Sequence, residues 1–243
     1  MTIQVIAEGL TVARGRRTIL RDVSFSLSPG VTALVGRNGA GKSTLMLTLV
    51  GLLTPAAGSV RMVSGPEAGT REFNRHLGWM PQHLSFPRFA KVADTIDYAA
   101  WLRGIDTGRP GAVDDALGAA DLGSLRDRRT TTLSGGELRR LGLACAIVGS
   151  PGFIVLDEPT VGLDPVQRED ILARVRSLAE QHTVLMSTHI VEDITESAQQ
   201  LLALNEGRVV YDGCVHDLAG PHKASADVHR TIKDLISAQD RIR

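Results

Sequence analysis

The residues best suited to chemistry are Gly36-Arg37-Asn38-Gly39-Ala40-Gly41-Lys42-Ser43-Thr44, which contain the pattern G-x-x-x-x-G-K-S. That spacing makes a phosphate-binding P-loop. Glycines let the main chain pass close around a polyphosphate, and the N–H groups of the following helix start face the anion. Lys42 is placed to reach the β- and γ-phosphates, and the Ser43 hydroxyl to bind Mg²⁺. The plain alternative is a glycine-rich turn that opens a helix. Context argues against it. Val31-Thr32-Ala33-Leu34-Val35 upstream suits a buried strand, and Leu45, Leu49 and Leu52 downstream repeat at helical spacing. The loop alone indicates an NTPase of some kind.

A pair of carboxylates follows far downstream. Phe153-Ile154-Val155-Leu156 is an apolar run fit for a central parallel strand, and it ends in Asp157-Glu158. Asp157 stands where a P-loop enzyme keeps its Mg²⁺-holding carboxylate. Glu158 faces the other side of the strand end and is placed to polarise an attacking water. A further constellation, Ser134-Gly135-Gly136-Glu137, fits a capping box with Ser134 as N-cap and Glu137 at N3. Its two bare glycines also expose N–H groups to an anion. On these residues alone both readings stand.

With Leu133 the run reads L-S-G-G-E, and the chain resembles the nucleotide-binding subunit of an ABC transporter. The family's motifs occur in order between about Ile3 and Asp217: the P-loop, Gln82 as the Q-loop glutamine, the signature Leu133 to Glu137, the acid pair, the D-loop Leu163-Asp164, and the switch histidine His189. The resemblance implies a head-to-tail homodimer, each ATP lying between the P-loop of one copy and the signature of the other. It implies nucleotide contacts from the whole run Gly36 to Thr44, from Ser134, Gly135, Gly136 and Glu137, and from Asp164 at the dimer seam. Ser43, Gln82 and Asp157 are the implied Mg²⁺ ligands, and Glu158, His189 and Gln82 the implied catalytic groups. Two positions depart from the family. Arg14 stands where many relatives stack an aromatic ring on adenine. A guanidinium can stack on a base, and a solvated basic turn is an equal reading. Glu137 replaces a common glutamine, and either closes the box.

The elements that must position these residues are legible in outline. Two apolar bursts (Ile3 to Ile6, Leu10 to Val12) and the alternating Val23 to Leu27 predict an antiparallel β-layer before the P-loop strand. The segment from Val92 to Val148 reads as wholly helical. Further expectations are strands at 58–63 and 183–187, helices at 167–181 and 190–197, and a hairpin joined by Asn205-Glu206-Gly207. The expected fold is therefore α/β: a P-loop NTPase with a RecA-like core, an N-terminal antiparallel β-layer and an inserted α-helical subdomain at about 84–150. The ATP-binding domain is expected to span 1–222, with a tail helix over 223–243 carrying Val228, Ile232, Leu235 and Ile236.

Composition narrows the function. The chain has 243 residues, 43 % of them hydrophobic, with 27 basic and 27 acidic side chains. There is no global pull toward nucleic acid or anionic lipid. Cys145 and Cys214 are far apart and lack paired histidines, so buried thiols in a reducing compartment are expected rather than zinc. No apolar run approaches the roughly 20 residues that span a bilayer. The expectation is an ATPase subunit on the cytoplasmic, inner face of the cell membrane, powering a separate integral permease. Phe86, Pro87 and Phe89 are expected to be exposed contacts for that partner. The passage Met80 to Gly104 resembles exporter-type subunits, including those serving drugs or peptides. The alternative is a soluble ABC ATPase acting on nucleic acid or ribosomes. Such relatives usually carry a coiled-coil insert or tandem domains, and this sequence shows neither.

Overall fold

A computed structural model describes residues 3–105, 111–219, 230–232 and 234–235. The chain opens with a hairpin. Strand β1 (Val5–Arg14) pairs antiparallel with β2 (Arg17–Leu27), so Arg14-Gly15-Arg16-Arg17 is its tight turn. The two apolar bursts are one strand interrupted by an irregularity between Ala7 and Leu10. Gly9 lies there at φ 59°, and its N–H donates to Ser24 Oγ at 2.8 Å. A bulge of this kind breaks the period-two pattern without ending the strand.

Strand β3 (Gly30–Val35) leads through the P-loop into helix α1 (Lys42–Leu49). The helix stops earlier than the leucine spacing predicts: Leu52 lies beyond its end and is 64 % exposed. Strand β4 (Ala57–Met62) then returns to the other edge of β1, closing a three-stranded sheet in the order β2-β1-β4. A short helix α2 (Arg71–Arg75), capped by Thr70, precedes β5 (Leu77–Met80).

The helical insert contains α3 (Val92–Leu102), α4 (Ala112–Ala119) and α5 (Gly135–Ile147). It is not helical throughout. Between α4 and α5 the chain runs as irregular backbone with two 3₁₀ turns, Gly123–Leu125 and Thr130–Thr132. Arg103, just past α3, fixes the insert to the core. Its guanidinium donates to the carbonyls of Leu77 (2.8 Å) and Ala146 (3.2 Å) and to that of Val148. Two of these carbonyls close the C-terminal end of α5, where a cation is favoured by the helix dipole. Burial pushes the Arg103 pKa down to about 10.

The remaining elements are β6 (Phe153–Asp157), α6 (Pro165–Ala179), β7 (Thr183–Ser187), α7 (Val191–Ser197), β8 (Gln200–Asn205) and β9 (Arg208–Cys214). They complete a six-stranded sheet in the order β5-β6-β7-β3-β8-β9, parallel except at the β8–β9 hairpin. The P-loop strand is thus central, with the acid-pair strand two places away. One apolar core fills the space between the two sheets, where Phe73 meets Phe153 edge to face at 6.5 Å. A second lies between the parallel sheet and the helical insert, and a third lies behind β3 and β8. Of the expected tail helix, residues 230–232 and 234–235 are helical, with Ile232 buried in the third core and Leu235 packed against it. Val228 and Ile236 fall outside the described residues.

Candidate functional site

The P-loop closes around its own lysine. Lys42 Nζ donates to the carbonyls of Gly36 (2.6 Å) and Arg37 (3.2 Å). Gly36 is at φ 151°, and a Cβ there would stand 2.4 Å from the Leu204 carbonyl oxygen. Only glycine lets β3 turn this close to β8. Helix α1 starts at Gly41 with no side-chain cap, so its first N–H groups have no side chain competing for them. The loop lines a cavity of about 360 Å³ shared with Arg14, Ser43, Gln82, Asp157 and Glu158. Four separate stretches of sequence therefore meet at one place: the β1–β2 turn, the P-loop, the loop after β5, and the end of β6.

The carboxylates differ in surroundings. Asp157 accepts from Ser187 Oγ at 2.5 Å. Burial lifts its pKa above the usual carboxylate value, the Ser187 hydroxyl pulls it back, and the Glu158 charge adds to the rise. Burial likewise lowers the Lys42 ammonium, with Glu158 and Asp157 opposing that effect. Glu158 adopts left-handed backbone, φ 47°, which is uncommon for a residue with a Cβ. Its N–H is held by Ser187 Oγ at 2.9 Å and the Ser187 carbonyl at 3.2 Å. Its side chain is held at both oxygens: Gln82 Nε2 donates to Oε2 at 2.8 Å, and His189 Nδ1 lies 3.3 Å from Oε1. A backbone held in a sparsely populated conformation and a carboxylate oriented on both sides describe a preorganised group.

Among the described residues, no group of three or more His, Cys, Asp or Glu side chains could hold a metal alone. Mg²⁺ at phosphate sites needs only one or two protein oxygens, with phosphate and water supplying the rest. The Ser43 hydroxyl and the Asp157 carboxylate line the same cavity, and a cation would relieve the burial of Asp157. The residues therefore fit the ion.

The signature residues lie elsewhere on the molecule. Ser134, Gly136 and Glu137 line a different cavity, of about 270 Å³, with Gln167 and Asp170. Ser134 caps α5: Glu137 N–H donates to its Oγ at 3.3 Å, and Ser134 N–H donates to Glu137 Oε2 at 2.6 Å. That backbone bond, ahead of every other influence, holds the Glu137 carboxylate below its usual pKa. Asp164 is a cap as well. It accepts from Gln167 N–H at 2.9 Å, with Pro165 opening α6, so that helix begins earlier than expected. Sequence reading missed Arg139 on α5. It reaches the Gln82 carbonyl at 2.9 Å and the Val161 carbonyl at 3.3 Å, joining the signature helix to the Q-loop and the D-loop. The run L-R-R carries no signal for which arginine turns inward. Phe86 is a correction: it packs against the helical core rather than facing out, while Phe89 is 81 % exposed. Tyr98 and Trp101 on α3 also stand exposed, their rings stacked at 5.8 Å.

Comparison with known proteins gives the family. The sequence profile of the family described as ABC transporter matches residues 20–161. A probable metal transport system ATP-binding protein of Chlamydia pneumoniae is 34% identical over 216 residues, covering 85% of this chain and 88% of that protein. A putative ABC transporter ATP-binding protein of Streptomyces coelicolor is 40% identical over 215 residues, covering 86% of this chain but 38% of its own length. Nod factor export ATP-binding protein I of Rhizobium etli is 36% identical over 209 residues, 84% of this chain and 66% of that protein. Among solved structures, an ATP-binding subunit of an ABC transporter has the same fold, with a TM-score of 0.82 at 24% identity over 95% of this chain and 98% of that one. A bacterial Atm1-family ABC exporter with ATP bound follows at 0.79 and 25% identity, over 100% of this chain and 43% of that one. With more than half of its residues matched by the family profile, and relatives above 30% identity along most of its length, this chain belongs to the ABC transporter family and is one of its ATP-binding ATPases.

Proposed function

We propose that this chain is the ATP-hydrolysing subunit of a transporter whose permease is a separate membrane protein. Two copies close head to tail over ATP and Mg²⁺ at the inner face of the membrane. One observation carries the reading: Glu158 is oriented by Gln82 and His189 beside the P-loop cavity, while Ser134, Gly136 and Glu137 open onto a different cavity of the same molecule. A single copy thus presents a phosphate loop with its base on one face and the signature on another. A second copy, reversed, would bring the two together.

In this reading Lys42 exchanges its loop carbonyls for the terminal phosphates. Bound Mg²⁺, held by Ser43 and Asp157, supplies charge neutralisation on the phosphates. Glu158 takes a proton from the attacking water, and Gln82 and His189 hold its two oxygens in line. The partner's signature glycines add N–H donors to the γ-phosphate.

No helix among the described residues is long and apolar enough to cross a membrane. The exposed Phe89, Tyr98, Trp101 and Leu102 follow the Q-loop and offer a permease an apolar surface. Export is supported by the resemblance of Met80 to Gly104 to exporter subunits and by the Nod factor export relatives. Steady-state phosphate release tests the core of the proposal. Glu158→Gln should lower turnover by about 10³-fold, within the range of general-base losses. It should also leave an ATP-loaded dimer visible by size exclusion with light scattering. Full activity would reject Glu158 as the base. Purification from membranes in detergent should bring down a multi-span protein; recovery free of membranes would reject the permease.

A further inference from the structure

The contact between His189 and Glu158 is long, and His189 is more than half exposed. The segments that carry these two residues have an anchor of their own. Beneath them lies Asp193, in the first turn of α7, with a relative exposure of 0 %. Its Oδ2 accepts from Thr160 Oγ1 at 2.6 Å and from Thr188 Oγ1 at 2.9 Å. Its Oδ1 pairs with Arg168 Nε on α6. Each donor belongs to a different segment. Thr188 precedes His189 and is tied through its N–H to the Leu34 carbonyl of the P-loop strand. Thr160 follows Glu158 by two residues, and its carbonyl accepts from Leu163 N–H at the D-loop. Arg168 sits one turn into the helix that Asp164 caps.

A fully buried carboxylate is tolerated only when its charge and lone pairs are satisfied. Here the satisfaction comes from three stretches of chain at once, so none can shift without leaving the carboxylate short of a donor. Apolar packing would hold these segments together; it would not fix their spacing as directional bonds do. We infer that Asp193 is a positioning residue for ATP hydrolysis, a buried clamp that sets Glu158 against His189 and ties both to the D-loop helix. It touches no reacting atom. The inference rests on the reading of Glu158 and His189 as the hydrolytic pair.

The test pairs conservative and disruptive changes at one donor. Thr188→Val removes the hydroxyl and keeps the shape, whereas Thr188→Ser keeps the hydroxyl. Thr188→Val should lower kcat about tenfold, a loss in keeping with the effect of small misplacements on positioned groups. KM and the affinity for a fluorescent ATP analogue should stay within about twofold, and Thr188→Ser should recover most of the turnover. In a His189→Ala background the same Thr188→Val change should cost little more, because coupled residues are not additive. Asp193→Asn, which places an amide where an all-acceptor group is needed, should show the larger kcat loss. Equal activity of Thr188→Val and wild type, additive losses with His189→Ala, or matched losses in Val and Ser variants would each overturn the clamp. The two failures are separable. If Glu158→Gln stays active, the hydrolytic pair is wrong. If Glu158→Gln is dead while Thr188→Val is unaffected, only the clamp is wrong.

Discussion

Two glycine-bearing helix starts, at α1 and α5, follow opposite plans. Helix α1 begins without a side-chain cap, and the lysine beside it rests on loop carbonyls. Helix α5 begins with a complete capping box, Ser134 and Glu137 each satisfying the other. The first start leaves its N–H donors to a ligand; the second is stable on its own terms. The glycines differ in the same way. Gly36 is demanded by its own fold, with a backbone oxygen where a Cβ would go. A Cβ on Gly135 would meet nothing within 4 Å. A glycine with open space around it is not explained by packing within one molecule. In the proposed dimer, close approach of the second copy would supply the reason.

The largest expected effect follows from that contrast. Gly36→Ala places a methyl against the Leu204 carbonyl in strained backbone, and such strain costs of order 1–3 kcal/mol per residue. Denaturant unfolding should register the loss and nucleotide titration should show ATP binding gone. Gly135→Ala should leave stability within about 0.5 kcal/mol of wild type, as for a surface change. Its turnover should nevertheless fall, because in the proposed dimer the methyl would meet the second copy. Loss of fold in Gly135→Ala would erase the distinction. Next is the link between the two regions. Arg139→Met cuts the bonds to the Gln82 and Val161 carbonyls, and phosphate release should drop about tenfold from looser positioning. ATP affinity should hold, since Arg139 is not among the residues lining the P-loop cavity.

Smaller effects test each start alone. Ser134→Ala should cost about 1 kcal/mol in chemical denaturation, the usual loss for a cap. Glu137→Gln, which keeps an acceptor for the Ser134 N–H, should lose much less. At the other region, Arg14→Ala should weaken ATP binding a few-fold by nucleotide titration. Arg14 lines the cavity, and unchanged affinity would make it a solvated turn residue.

What could be read in the sequence was whatever is local. The P-loop, the acid pair and the capping box are short local runs, and the structure sets them between β3 and α1, at the end of β6 and at the start of α5, with Glu158 turned into the same cavity as Asp157. Two helix limits needed finer local signals that hydrophobic spacing hides: Asp164-Pro165 is an N-cap followed by a first-turn proline, and Leu52 lies past the end of α1 although it keeps the period. Strand β1 appeared as two pieces because the bulge at Gly9 inverts the alternation. The contacts of Arg139, Ser187 and Asp193 were beyond reach, since each acts on residues distant in the chain through one side chain among several of its kind. Phe86 shows the same limit. A loop phenylalanine looks exposed until the α3–α5 core that receives it is assembled.

The place of β3 in the sheet has a consequence for how the protein is made. Its hydrogen-bonding neighbours are β7 and β8, so when Gly30 to Val35 leave the ribosome neither edge has a mate. The β1–β2 hairpin can form at once from adjacent segments, but the nucleotide cradle must wait for Thr183–Ser187 and Gln200–Asn205 to be translated. Pairings so distant in sequence form slowly and leave apolar strands open meanwhile. The nascent chain therefore carries its most essential loop unseated through most of synthesis, and that interval is when a chaperone would be of use to it.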